Sequence, residues 1–318
     1  MQQSIGLTAS PENSDELLTQ YYVCSVWTVT RAPTSRMVQR SFARPSNRFA
    51  MPQSRLATPA EPASAAAAPI VEARALTRRF GTLVAIDHVS LSIAPGEVFA
   101  LIGPNGAGKS TLMKMFTTLL APSSGQAVVA GYDIAAEPQK VRSHIGYVPQ
   151  ILSADGELTG YENMLLSARL YLIPAAERAG KIAQALEMMG LTEAKDRLVQ
   201  TYSGGMARRL EIAQSTLHRP AVLFMDEPTV GLDPGGRRTV WEHVDALKRE
   251  IGAAVVFSTH YMDEAEAVCD RLALISGGKV AALGRPAELK ARLGADATLD
   301  DVFTTLTGER IGEGGKPQ

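Results

Sequence analysis

The segment from Gly103 to Thr111 constrains the fold of this 318-residue chain more than any other stretch. It reads GPNGAGKST and fits the phosphate-loop pattern G-x-x-x-x-G-K-[ST]. Glycines in such a loop let several backbone N–H groups point at one anion, and the helix that follows aims its positive end at the same anion. Lys109 can reach the β- and γ-phosphates of a nucleotide, while the Ser110 hydroxyl can bind Mg²⁺.

The residues on both sides of this loop supply the strand–loop–helix setting that the motif needs. Residues 98–102 are all apolar and predict a buried strand, and residues 112–120 predict a helix. We therefore expect a nucleotide-binding core of the α/β class.

Two adjacent carboxylates, Asp226 and Glu227, follow the short apolar run 221–225. Carboxylates at the end of a buried strand are costly unless a positive group lies nearby, and Mg²⁺ with a nucleotide would satisfy them. His260 lies just past another apolar strand, residues 253–258, and ligands in open α/β sheets bind beyond such strand ends.

The rest of the chain alternates between strand and helix patterns. Loose alternation over residues 70–93 predicts antiparallel strands with a turn at Pro95-Gly96. Residues 145–148 predict a strand that places Gln150 at its end, where loops carry function. Helical periodicity then predicts a helical subdomain, about 151–205, inserted in the α/β core.

Two further features have open interpretations. Phe80 is either a core residue or an aromatic platform for a purine ring. Ser203-Gly204-Gly205 opens a predicted helix at 207–217 and is an anion-binding arrangement, although small-residue turns before helices are common.

The two ends of the chain differ in composition from its centre. Residues 21–60 contain six arginines and no acidic residue, and proline and alanine crowd residues 57–69. Such a composition cannot build a packed core, so residues 1–69 are predicted to be a disordered extension. Three interpretations of this extension are open: a transit peptide, a flexible tail, or a segment upstream of the true translation start. Residues 310–318 are predicted to be a loose polar tail.

Charge and hydropathy limit the possible partners. From residue 61 onward acidic residues outnumber basic ones, 30 to 26, which argues against nucleic acid as a partner. No apolar run approaches the ~18 residues that span a bilayer. If the protein acts at a membrane, another chain must supply the span.

With these residues in view, the sequence resembles the ATP-binding subunit of an ABC transporter over roughly residues 71–308. The segment YSGGM at 202–206 and the ending LDDVFTTLTG at 299–308 resemble the bacterial drug-resistance type, of the daunorubicin exporter ATPase kind. This resemblance implies an ABC ATPase fold at residues 70–309, in which a P-loop NTPase core carries an antiparallel β subdomain and the helical insert.

The resemblance also implies roles for individual residues. Phe80 matches the aromatic residue that stacks on adenine, and residues 231–233 resemble the D-loop. The Walker A nucleotide-binding residues are Gly103, Pro104, Asn105, Gly106, Ala107, Gly108, Lys109, Ser110 and Thr111. The signature residues, which face the nucleotide of the opposite subunit, are Ser203, Gly204 and Gly205. The Mg²⁺ ligands are Ser110, Gln150 and Asp226, and the catalytic residues are Lys109, Gln150, Glu227 and His260.

The same resemblance implies ATP and Mg²⁺ as cofactors and a second ATP-binding subunit, a homodimer, as partner. Separate transmembrane permease subunits would hold this ATPase on the cytoplasmic face of the cell membrane. Tyr202 and Met206 depart from the commoner signature LSGGQ.

The alternative interpretations of the chain are a soluble ABC ATPase, another P-loop enzyme such as a GTPase, and a non-catalytic module. The chain has a single core, which counts against a soluble ABC ATPase, and it lacks the Asn-Lys-x-Asp sequence with which a GTPase reads guanine. Lys109 and Glu227 are both intact, which counts against a non-catalytic module. The transported substrate is not readable from the sequence.

Overall fold

The computed structural model describes residues 68–294 and 296–308. The predicted tail at 310–318 lies outside the described residues, as does the predicted extension apart from residues 68 and 69.

A six-stranded sheet forms the centre of the fold, and its order is β10-β9-β3-β8-β7-β6. All neighbouring strands in it are parallel except the hairpin of β9 and β10. Its strands are β3 (Val98–Ile102), β6 (Ile145–Val148), β7 (Val222–Asp226), β8 (Ala254–Thr259), β9 (Arg271–Ser276) and β10 (Lys279–Gly284). The strands that precede the phosphate loop, Gln150, Glu227 and His260 are thus β3, β6, β7 and β8, and their carboxyl ends share one edge.

A second sheet of four antiparallel strands has the order β2-β1-β4-β5. Its strands are β1 (Val71–Phe80), β2 (Leu83–Ile93), β4 (Ser124–Val129) and β5 (Tyr132–Asp133). The predicted turn position was wrong, because β1 and β2 are joined at Gly81-Thr82, where Gly81 adopts a φ of 56°. Pro95-Gly96 instead forms the turn that leads from β2 into β3. Both dipeptides have turn chemistry, and the loose alternation does not separate them.

Nine α-helices connect these strands in the described part of the chain. They are α1 (Lys109–Phe116), α2 (Pro138–His144), α3 (Gly160–Leu170), α4 (Ala175–Met188), α5 (Gly204–Thr216), α6 (Pro234–Ile251), α7 (Met262–Val268), α8 (Pro286–Ala291) and α9 (Leu299–Thr307). Helix α1 ends at Phe116 rather than near residue 120, because Thr118 takes a positive φ of 62° that a helix cannot continue. No described helix is both long enough and apolar enough to cross a bilayer.

Apolar side chains fill both faces of the six-stranded sheet. Along β3, Ala100 and Ile102 pack into a cluster with helices α3 to α6, while Phe99 and Leu101 pack into a cluster with α1 and the four-stranded sheet. This alternation follows from the two-residue period of a strand covered on both faces. The structure thus has the predicted α/β architecture, with a mainly parallel core sheet, an antiparallel β subdomain, and helices α3 to α5 inserted between β6 and β7.

His218, just after α5, is a buried histidine with a shifted pKa. Its ring stacks on Tyr171 at a centroid distance of 3.9 Å, and its Nε2 lies 3.0 Å from the Ile145 carbonyl oxygen. Its Nδ1 has no hydrogen-bond partner among the described residues. Burial lowers the pKa of His218 from 6.5 to about 4, although the Ile145 carbonyl acts in the opposite direction.

This shift predicts an acid-dependent loss of stability. The unfolded chain binds a proton at His218 below pH 6.5 and the folded chain only below about pH 4, so stability falls as pH falls between these values. The loss reaches about 3 kcal/mol at pH 4. Denaturant unfolding at several pH values measures it, and His218→Phe should remove this component while keeping the stack on Tyr171.

The control for this experiment is His88→Gln, because the His88 side chain is 67% exposed. This variant should keep the wild-type slope between pH 6.5 and 4. An unchanged slope in His218→Phe would show that other groups cause the acid instability.

Candidate functional site

Close packing forces glycine at two positions of the phosphate loop. A side chain at Gly103 would place its Cβ 2.2 Å from the Ile275 carbonyl oxygen. Gly108 has a φ of 105°, and a Cβ there would lie 2.6 Å from the Ala85 carbonyl oxygen. The loop is therefore held against β2 and β9 by its backbone, and it leads into α1. No acidic residue and no capping side chain occupies the first turn of α1, so its N–H groups remain available to an anion.

Lys109 lies at the base of this loop and is only 5% exposed. Its Nζ donates hydrogen bonds to the carbonyl oxygens of Gly103, at 2.7 Å, and Pro104, at 3.1 Å. The same Nζ lies 3.3 Å from Glu227 Oε1. The positive charge that the sequence requires near the paired carboxylates is therefore supplied by the lysine of the loop itself.

Oxygen atoms suited to a hard cation lie beside Lys109. The Ser110 hydroxyl donates to Asp226 Oδ1 at 3.1 Å, and the Ser258 hydroxyl donates to the same oxygen at 2.5 Å. The described residues contain no cluster of three or more acidic, histidine or cysteine side chains that could hold a metal alone. A hydroxyl and one carboxylate fit Mg²⁺, which commonly takes its remaining ligands from water and substrate phosphates.

Glu227 and His260 form a close pair next to these residues. His260 Nδ1 lies 2.7 Å from Glu227 Oε2, and the carboxylate is buried while the imidazole is partly exposed. Glu227 has a positive φ of 49°, a strained conformation for a residue with a side chain. Its backbone N–H donates to the Ser258 hydroxyl at 2.9 Å, so Ser258 bonds to both members of the carboxylate pair.

Phe80 and Gln150, unlike the residues above, have exposed side chains. Phe80 ends β1 and is 45% exposed, which excludes the core interpretation. The guanidinium carbon of Arg78 lies 4.5 Å from its ring centroid. Gln150 follows β6 and is exposed, and within residues 68–294 and 296–308 its side chain makes no hydrogen bond to Lys109, Asp226 or Glu227.

The signature residues line a different cavity. Ser203 caps α5 by accepting a hydrogen bond from the Met206 N–H at 3.3 Å. A cavity of about 230 Å³ lies in front of this cap. It is lined by Ser203, Gly204, Gly205, Arg209, Gly231, Leu232, Asp233, Gly236 and Thr239. The signature thus lies beside the D-loop and shares no lining residue with the phosphate loop of its own chain.

Comparison with known proteins agrees with this arrangement. The sequence profile of the ABC transporter family matches residues 86–230. The daunorubicin/doxorubicin resistance ATP-binding protein DrrA of Streptomyces peucetius is 42% identical over 76% of this chain and 74% of its own length. The linearmycin resistance ATP-binding protein LnrL of Bacillus subtilis is 40% identical over 72% of this chain and 74% of its own. This chain belongs to the ABC transporter ATP-binding subunits.

A solved structure agrees with the family assignment. An ATP-binding subunit of an ABC transporter superimposes with a TM-score of 0.67 at 30% identity, covering 75% of this chain and 99% of the other. The ABC ATPase fold expected from the sequence is confirmed, and this chain is an ATP-binding subunit of the ABC type and an ATP-hydrolysing enzyme.

In this ABC subunit, a buried ion pair ties the signature helix to the segment around Gln150. Arg208 and Glu211 lie one turn apart on α5, with Arg208 Nη1 2.9 Å from Glu211 Oε2. The Arg208 guanidinium also donates to the carbonyl oxygens of Pro149, at 2.6 Å, and Gln150, at 2.8 Å. Glu211 accepts hydrogen bonds from the N–H and the hydroxyl of Ser153. Burial raises the pKa of Glu211, although Arg208 acts in the opposite direction.

The sequence interpretation missed several residues of this ABC site. Ser258 donates to the Asp226 carboxylate and accepts the Glu227 backbone N–H, and a polar residue at the end of an apolar strand was the available signal. Arg208 and Glu211 look like exposed charges in the sequence, because their burial depends on contacts with the distant segment 149–153. Glu264, which is buried in α7, gave no signal at all in the sequence.

Proposed function

We propose that this chain is the ATP-hydrolysing subunit of a drug exporter, acting as a dimer bound to separate membrane-spanning permease subunits. The observation that carries the proposal is that the Glu227 carboxylate contacts two residues distant in sequence, with Lys109 Nζ at 3.3 Å and His260 Nδ1 at 2.7 Å. Resistance to daunorubicin, doxorubicin and linearmycin in the names of its relatives suggests small drug-like molecules as the exported class.

The proposed chemistry combines positioning with charge stabilisation. Lys109 and the N–H groups of the phosphate loop and α1 bind the β- and γ-phosphates of ATP. Ser110 and Asp226, with Gln150 once it approaches, would hold Mg²⁺. When bound, Mg²⁺ supplies positive charge against the phosphate oxygens. Phe80 offers its exposed ring to adenine.

Glu227 and His260 act on the water side of the reaction in this proposal. The Glu227 carboxylate orients the attacking water and accepts its proton. His260 holds Glu227 through its Nδ1 and contacts the γ-phosphate through its other edge. The 2.7 Å contact between the two side chains supports this division of roles.

A second copy of the chain completes each site in this proposal. The signature cavity is lined by no residue of the phosphate loop, so one chain presents the two as separate surfaces, which supports their meeting across two chains. Two copies in antiparallel arrangement place Ser203, Gly204 and Gly205 of each against the γ-phosphate bound by the other. The positive end of α5 would then face that phosphate.

The permease would dock on the segment after Gln150 and on the nearby helices. Four large apolar side chains of this region are exposed, namely Ile151 at 65%, Leu172 at 61%, Leu152 at 47% and Leu166 at 43%, and such grouping of apolar surface is typical of interaction sites. This surface would hold the subunit at the cytoplasmic face of the membrane. The domain boundaries we propose are 70–309 for the ATPase, with residues 1–69 and 310–318 as extensions.

Separation of transport from hydrolysis tests this docking. Ile151→Asp, with Glu157→Lys as a second probe, should reduce drug efflux from cells about tenfold or more while basal ATP turnover stays within about twofold. Glu162 is unsuitable for charge reversal, because it accepts the Thr159 N–H at 2.8 Å in the cap of α3.

Leu306→Asp on α9 is the matched control, since Leu306 is also exposed and lies outside the proposed surface. It should leave efflux unchanged. Equal loss of efflux and turnover in Ile151→Asp would indicate a folding defect. If no drug efflux depends on the chain at all, a soluble ABC ATPase is the better interpretation.

A further inference from the structure

We infer that Glu264 is a positioning residue that fixes Glu227 and His260 relative to each other. This inference rests on the catalytic roles proposed above for those two residues. Glu264 lies in α7 and is 8% exposed, and the reaction described above does not use it.

The Glu264 carboxylate joins three separate parts of the chain. Its Oε1 accepts hydrogen bonds from the Thr229 hydroxyl and, at 2.8 Å, from the Trp241 indole N–H. Its Oε2 accepts from the Thr259 hydroxyl at 2.8 Å. Thr229 and Thr259 are both 1% exposed, so these bonds are shielded from water and are charge-assisted.

Two of these donors are adjacent to the catalytic pair. Thr229 follows Glu227 by two residues, in a turn closed by the bond from the Val230 N–H to the Glu227 carbonyl oxygen. Thr259 immediately precedes His260, and its hydroxyl also accepts the Tyr261 N–H at 3.0 Å. One carboxylate therefore sets the distance between the backbone segments that carry Glu227 and His260.

The strained backbone at Glu227 makes such an anchor necessary. A non-glycine residue with a φ of 49° keeps that conformation only when its surroundings hold it there. The Ser258 hydroxyl holds the Glu227 N–H, and Glu264 holds the turn on the other side through Thr229. Trp241 completes the support, because its ring packs edge-on against Phe257 of β8 at a centroid distance of 4.5 Å.

The test is Glu264→Gln in the full-length protein, assayed for ATP turnover, KM for ATP and Tm. The amide keeps the shape but carries no charge, so the charge-assisted character of the bonds from Thr229, Trp241 and Thr259 is lost. Its NH₂ end can only donate, which forces a hydroxyl to reverse its bond and loosens the register of Glu227 and His260. We expect kcat to fall about 10- to 100-fold, while KM stays within about twofold because the phosphate loop is untouched.

Glu97→Gln is the matched control. Glu97 is also buried and accepts the Ala94 N–H at 2.6 Å, but it precedes β3 and so lies at the opposite end of the sheet from the site. This variant should have a lower Tm, while its kcat, measured at temperatures below that Tm, should equal the wild-type value. A fall of kcat in both variants would mean that any buried carboxylate has this effect, and the inference would be wrong.

A double-mutant cycle with His260→Ala distinguishes positioning from general support. If Glu264 acts through His260, its replacement should cost much less turnover in the His260→Ala background than in the wild type. The inference is overturned if the fold-losses in kcat of the two single variants simply multiply in the double variant. It is also overturned if the kcat of Glu264→Gln stays within threefold of the wild-type value.

Two further variants make every outcome decisive. Should Glu264→Gln not fold, Thr229→Val decides, because it removes one donor to Glu264 at nearly constant shape; an unchanged kcat in Thr229→Val then rejects the inference. Glu227→Gln is measured in parallel. If it retains turnover, the proposed function fails, whereas loss in Glu227→Gln with no effect in Glu264→Gln rejects only the positioning role.

Discussion

Replacement of Glu227 with glutamine is expected to lower ATP turnover by about 10²- to 10⁴-fold while ATP still binds. The amide has the size of the carboxylate and keeps an acceptor, but it cannot take a proton from the attacking water. It also removes the negative partner of Lys109, whose Nζ lies 3.3 Å from Glu227 Oε1. Because hydrolysis would separate the two proposed subunits, the variant should accumulate as an ATP-bound dimer.

Turnover, nucleotide affinity and sedimentation of the purified protein measure this result. Two other variants should behave differently. Asp226→Asn should weaken the retention of Mg²⁺, because it removes a carboxylate that would bind the ion. Lys109→Ala should lower the affinity for ATP, because it removes the cation that would bind the phosphates. Wild-type turnover in Glu227→Gln would exclude Glu227 as the base.

Removal of the Arg208 guanidinium is expected to have the largest effect on stability. Arg208→Met leaves Glu211 buried without its positive partner and the carbonyl oxygens of Pro149 and Gln150 without their donors. Breaking a buried pair from one side costs about 3–5 kcal/mol. The free energy of unfolding from denaturant titration should fall by that amount.

Two further variants identify the cause of this loss. Arg208→Met with Glu211→Leu should recover part of the stability, because no charge remains buried, although Ser153 loses its acceptor. Arg238→Met removes an exposed arginine paired with Glu242 at 3.6 Å and should change stability by less than about 1 kcal/mol. Similar small losses in Arg208→Met and Arg238→Met would show that the buried pair contributes little.

Local signals predicted the elements that depend on neighbouring residues. Strands Val98–Ile102 and Ile145–Val148 have the predicted bounds. Gly252 ends α6 with a left-handed φ of 71°, as expected for glycine after a helix. The short helices α2 and α7, of seven residues each, were not predicted, because they have too few turns to show an apolar stripe.

Local sequence patterns could not predict the features that depend on contacts between distant residues. The phosphate loop and the carboxylate pair were recognisable as motifs, and the distance of 3.1 Å between Ser110 and Asp226 arises from the strand order. Ser258, Arg208 and Glu264 gain their importance only from partners remote in sequence. Burial and pairing of such polar residues are tertiary properties, and no short-range periodicity reports them.

The position of β8 has a consequence for synthesis on the ribosome. β8 bonds to β3 on one side and to β7 on the other, yet it is made after both. A nascent chain that ends before residue 254 already contains the phosphate loop and Asp226, but it lacks the strand that holds them side by side. Such long-range pairing forms late, since the ends of a long loop must first meet. We therefore expect the site to assemble only after residues 254–259 have emerged, so that shorter nascent chains hydrolyse no ATP.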